Sequence, residues 1–137
     1  MISKAQLDAV GLLVVRVVPA VLMLFHGVSK LRHGIDGVVD IMTAAHVPAF
    51  VAYGVYVGEV VAPLLMIAGW MSRPAGAVFA FNMVVAIVTA HWADVTKLGK
   101  VGQWSIELQL LFLFGGVAVA LLGPGPWSVS RGKTRLG

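Results

Sequence analysis

The chain of 137 residues contains no cysteine, and only 12% of its residues are charged. The first absence excludes a mechanism that cycles a disulfide within the chain, and with it thiolate metal sites. The second excludes an ordinary water-solvated surface, because soluble domains carry about 25% charged residues. No internal repeat and no motif for a redox cofactor of the chain's own is recognisable. Redox chemistry would therefore need a bound cofactor or a partner.

What is present is apolar. Hydrophobic residues make up 59% of the chain, and the mean hydropathy is +0.93. Four runs, 9–25, 49–71, 74–93 and 104–123, approach the roughly 20 residues that a membrane-spanning helix needs. None shows the alternation of a barrel strand. The sequence thus predicts an all-α membrane protein, a four-transmembrane-helix bundle running up-down-up-down, with one domain over 1–127 and a basic, mobile tail over 128–137. The first run carries Arg16 and leads into a basic exit instead of a small-residue cleavage site, so it is read as a retained helix, from about Leu7 to Gly34, and not as a secretory leader.

Between the first two runs, Val38, Ile41, Met42 and Ala45 recur at i, i+3, i+4 and i+7. This is the pattern of a short amphipathic helix lying at the interface or capping the bundle. Pro48 suits the first position of the second spanning helix, and Ser72-Arg73-Pro74 is too short to join anything but antiparallel neighbours. Gly54, Gly58 and Ala62 form a small-residue stripe that allows close helix packing, and Gly115 and Gly116 can do the same.

The formal charge is +4, with the basic residues scattered over loops and ends, which suits a membrane surface and not nucleic acid. The side holding the termini carries Lys4, Arg73, Arg131, Lys133 and Arg135, and the other side Lys30, Arg32, Lys97 and Lys100. Under the positive-inside rule this balance leans towards cytoplasmic termini.

Charged groups inside apolar runs are expensive and mark candidate sites. They are Arg16, Glu59 and Glu107, with His26, Lys30, Asn82 and His91 beside them. Counting depth at about 1.5 Å per residue puts Arg16 and Glu59 within a turn of each other near the midplane, where they would form an ion pair. His26, His91 and Glu107 fall at similar depth nearer the surface, with Lys30 above His26 on the same face. Asn82 and His91 are half a turn apart, so one of the two is expected to line the site. Such a mouth fits a polar head on an apolar molecule: histidines exchange protons near neutral pH, and Lys30 or Arg16 can face a carbonyl. A quinone meets that description. A haem held by His26 and His91 is the less favoured alternative, since nothing else marks a haem pocket. No metal site is expected.

In order along the chain, Arg16, HGVSKL (26–31), Pro48, GEVVAPLLMIAGWMSRPAG (58–76), NMVVAIVTAH (82–91), Glu107 and GPGPWS (123–128) resemble the DoxX family of small bacterial membrane proteins, over about residues 10–130. The resemblance implies a four-helix protein of the bacterial cytoplasmic (inner) membrane, associated in some relatives with a quinone-linked oxidoreductase or with soluble redox enzymes. It also implies that the recurrent polar positions are Arg16, His26, Lys30, Glu59, His91 and Glu107. Where relatives often carry two glycines after the glutamate, this chain has Val60-Val61-Ala62-Pro63. The expected function is a quinone-interacting subunit working with a soluble or membrane redox partner. The alternatives are a proton-coupled carrier of a lipophilic or weakly acidic solute, and an accessory subunit of a membrane complex. An oligomer is compatible with all three.

Overall fold

The computed structural model describes residues 1–131 and Leu136. Lys133 and Arg135 of the expected tail lie outside the described residues. The first helix, α1 (Lys4–His33), starts a turn earlier than hydropathy suggests. Ser3 Oγ accepts from the Gln6 N–H while Gln6 Oε1 accepts from the Ser3 N–H, a reciprocal cap that satisfies otherwise orphaned donors. At the far end Lys30, Arg32 and His33 face the negative pole of the helix, and Gly34 (φ 86°) ends it. At 30 residues, α1 is about 45 Å long.

The short helix α2 (Asp36–Ala44) turns Val38, Ile41 and Met42 of its predicted stripe inward, while Ala45, just past its end, is exposed. Met42 and Ile35 are buried against Ala52 at the start of the next helix, with Val38, Ile41, Val55 and Val85 packed around them. The element therefore caps the loop end of the bundle.

Helix α3 (Ala49–Ala68) follows Pro48 and changes its winding along its length. Ala49–Tyr53 is 3-10, Val57–Val61 is π-helical, and Ala62–Ala68 is regular α-helix. Pro63 explains the widened turn, because a proline ring clashes with the carbonyl four residues back, here that of Glu59. The helix relaxes by bonding the Ala62 N–H to the Val57 carbonyl. Gly69, left-handed at φ 72°, closes α3, and helix α4 (Ser72–Ala90) returns beside it as expected.

Helix α5 (Glu107–Leu122) is apolar but has only 16 residues, so among the described residues α1, α3 and α4 are the three helices long and apolar enough to cross a membrane. The predicted run loses its start because Trp104 is tied into the preceding loop: its indole N–H donates to the Val95 carbonyl, and it pairs in an isolated bridge with Leu98. Among the described residues there is no β-strand.

The core lies between α1, α3, α4 and α5, where Ala20, Met23, Met66, Phe79, Phe112 and Val119 meet. Gly76 of α4 and Gly116 of α5 mark a close crossing; a methyl on Gly76 would stand 2.7 Å from the Gly116 carbonyl. Of the predicted small-residue stripe on α3, Gly58 packs on Asn82 and Ala62 is in the core, but Gly54 faces open space.

Candidate functional site

A cavity of about 350 Å³ occupies the loop end of the bundle, between the end of α1, α2, the first half of α3, the end of α4 and the start of α5. Its walls are mostly apolar, among them Met23, Ile41, Met42, Phe81, Met83 and Phe112. The polar groups that reach it are His26, Lys30, Glu59, Asn82, Thr89, His91 and Gln109. Val51, Val78 and Phe81 line the cavity and are also exposed on the outside of the bundle, so it is bordered on that flank by the apolar surface of α3 and α4.

The inner polar contact is an ion pair, Lys30 Nζ to Glu59 Oε2 at 2.6 Å, with the two side chains 25% and 9% exposed. The sequence pointed instead to Arg16 as the partner of Glu59. That expectation fails because the two stand at opposite ends of the bundle. Gly27 packs on the Glu59 backbone, so closely that a methyl there would collide with the Glu59 carbonyl. Glu59 is therefore level with the last turns of α1, about 17 Å along that helix from Arg16. The depth count erred because the first turns of α3 pack with α2 in the cap. Arg16 instead donates to the Trp127 carbonyl at 2.7 Å.

Asn82 and His91 line the cavity together, although helical geometry puts them half a turn apart. His91 is no longer helical (φ −121°, ψ 12°); it is the residue at which α4 ends, so its ring is free of the 100° step. One ring nitrogen, Nε2, meets Gln109 Nε2 at 3.1 Å and the other, Nδ1, meets Asp94 at 3.5 Å. Lys97 and then His91 hold the Asp94 carboxyl below the usual carboxylate range by hydrogen bonding. The other oxygen-bearing end of Gln109, Oε1, is buried without a partner.

His26 sits at the cavity wall with its ring edge-on to Phe112, centroids 6.1 Å apart. Glu107 is not part of this group. It is the first residue of α5, exposed, and its carboxylate accepts from the Trp104 N–H at 3.2 Å. Gln109, two residues on and so about 200° around the helix, takes the inward place. Of the six predicted site residues the structure thus gathers four, His26, Lys30, Glu59 and His91, and leaves Arg16 and Glu107 elsewhere. Gln109 was missed because a neutral amide in an apolar helix raises no charge signal, although its burial in LQLLF was open to question. Among the described residues no group of three His, Cys, Asp or Glu could hold a metal ion.

The sequence model of the DoxX family matches residues 11–92. The chain is 28% identical over 114 residues to the Bacillus subtilis (strain 168) protein named "Putative oxidoreductase CatD", covering 83% of this chain and 80% of that one. It is 30% identical over 125 residues to "Inner membrane protein YphA" of Escherichia coli (strain K12), covering 88% of each. No solved structure gives a significant match. The chain belongs to the DoxX family of membrane proteins.

Proposed function

From that membership and the cavity's geometry, we propose that the chain is a quinone-interacting subunit of a membrane oxidoreductase system in the bacterial cytoplasmic (inner) membrane. The observation that carries this reading is one chamber with apolar walls and a few convergent polar groups. Its volume of about 350 Å³ falls within the roughly 300–1,000 Å³ of small-molecule sites. A quinone ring would lie between Met23, Met83 and Phe112, with one carbonyl towards the free N–H groups of Lys30 and the other towards the His91–Gln109 pair. The flank at Val51, Val78 and Phe81 would admit the tail from lipid. Quinone reduction takes up protons with electrons; His26 and His91 would relay the protons, and a soluble or membrane partner enzyme would supply the electrons. The oxidoreductase name carried by the Bacillus relative is consistent with such a role.

In this reading α1, α3, α4 and α5 all cross the bilayer, up-down-up-down, α2 lies at the interface, and the termini are cytoplasmic. The shorter α5, at about 24 Å, spans with the help of the ordered turns before and after it.

The test is to purify the protein from its native membrane in mild detergent and extract it for quinones. Short-chain quinone binding is then followed by fluorescence quenching in the wild type, Lys30→Met and Gln109→Leu. The expected result is saturable binding, weakened about tenfold by either change, as for loss of a hydrogen bond to a charged or buried group. Quenching that is linear in quinone and unaltered by both variants would refute the site. One observation favours a second reading, a proton-coupled carrier: Glu59 is buried and held by a cation that protonation would release. Proton-driven solute uptake into proteoliposomes, abolished in Glu59→Gln without loss of folding, would select it.

A further inference from the structure

At the end of the bundle away from the cavity, Arg16 is 1% exposed. Its Nη2 donates to the Trp127 carbonyl, while Nε and Nη1 are buried with no partner among the described residues. Arginine cannot shed its charge to relieve this, so a counter-charge is required. The chain does not provide one from a side chain. Of its six acidic residues, Asp36, Asp40, Glu59, Asp94 and Glu107 lie at the loop end. Asp8 is exposed, two turns outward on α1, and paired with Lys4 at 2.8 Å.

The surroundings suit an anion held at headgroup level. Gly69 stands against the guanidinium with no side chain between, and it has the left-handed backbone (φ 72°) that only glycine takes easily. Ser128 touches the same glycine, and Ser130 Oγ donates to its carbonyl at 2.7 Å. The cover is the irregular strap 123–130, bent at Gly123 and Gly125, which crosses α1 at Leu12, one turn outward of Arg16. Trp70 and Trp127, each about half exposed, flank this corner, and exposed tryptophans mark the membrane–water boundary.

We propose that Arg16 is an anion-binding residue that takes a phosphate group, from an anionic lipid headgroup or from free phosphate, under the 123–130 strap. Phosphate oxygens would accept from Nη1 or Nε, which point to different edges of the guanidinium, with the strap lifting to admit them. The site is separate from the cavity and does not depend on its ligand.

The test uses the full chain in neutral detergent. Melting temperature and native mass spectrometry are followed on adding phosphatidylglycerol, phosphatidylcholine or inorganic phosphate, for the wild type and Arg16→Gln. A single phosphatidylglycerol is expected to be retained at least about tenfold more by the wild type than by the variant, since a charge-assisted hydrogen bond is lost, and to raise the wild-type melting temperature where phosphatidylcholine does not. A rise with inorganic phosphate alone would keep the site and assign it to the free anion. If neither anion stabilises the wild type, or if Arg16→Gln gains equally from them, the proposal is overturned. The wild-type measurement decides the matter even if Arg16→Gln does not assemble.

Discussion

The two ends of the bundle solve the same problem differently. Both hold a cation of α1 against the protein, the partly exposed Lys30 at one end and the buried Arg16 at the other. At the loop end the cation meets a carboxylate within the chain and borders a cavity built from five elements. At the terminal end it meets, among the described residues, only a backbone carbonyl, under a strap of glycine and proline. A paired cation holds two helices in register and leaves its remaining hydrogen-bonding capacity for a guest. A cation without an acidic side chain beside it leaves the local charge to be balanced by other means, such as the proposed anion. Sequence depth alone cannot separate these roles, because both residues read as basic groups in one long apolar helix.

The comparison is broken most severely by leaving a buried charge alone at the loop end. Lys30→Met is expected to destabilise the fold by about 3–5 kcal/mol, the usual penalty for removing one partner of a buried pair. Lys30→Met combined with Glu59→Leu should regain most of that loss, and unfolding midpoints in mixed micelles measure both. A double variant as unstable as the single one would show that the pair is not the cause. Next in size is Gly69→Ala, which forces a side chain into the left-handed position and against the Arg16 guanidinium. A loss of about 1–3 kcal/mol is expected, with the cavity's ligand binding unchanged; a drop in that binding would mean the two ends communicate. At the seam between the ends, Gly116→Ala should cost about 1–3 kcal/mol through overpacking against α4, and an unaltered midpoint would mean the helices part easily.

The smallest effect is expected at Asp94, on the solvent side of His91. Its carboxyl titrates below the usual range in the folded chain. A depressed carboxylate stabilises the fold above its unfolded value and loses that contribution as pH falls through the folded one. The loop over 92–104 should therefore loosen below about pH 4 in the wild type, while Asp94→Asn removes that pH dependence. Amide exchange of the loop across this range is the measurement, and equal profiles would dissociate Asp94 from the loop's acid sensitivity.

Much of the architecture was legible because membrane helices are written in long apolar runs and because the stripe Val38, Ile41, Met42 specifies which side of a short helix is buried. The short connection between α3 and α4 was also legible, although the turn falls at 69–71 and Ser72–Pro74 open α4 instead of linking the two helices. Of the six named site residues, four line one cavity. His26, Lys30, Glu59 and His91 converge, but the expected ion pair was misassigned because depth counting assumes straight α-helices starting at a common plane. In α3 the early turns belong to the cap and the middle is wound more widely, and neither departure shows in hydropathy. Glu107 was misplaced because a charge at the first residue of a helix can serve the preceding loop. His91 escaped the helical wheel because α4 stops there. Each error arises where regular winding ends.

The widened turn at Val57–Val61 has one more implication. A π-turn is equivalent to an extra residue inserted into a helix without a loop: everything beyond it is rotated by about 100° relative to an uninterrupted α-helix. Glu59 rides on this insertion. Deleting Val60 would let the helix rewind and turn the carboxylate away from Lys30, while Pro63 would meet a different carbonyl. The acid's aim is thus encoded by the local count of residues as much as by the identity of any one of them. Two chains with the same glutamate can differ in function through a single missing position.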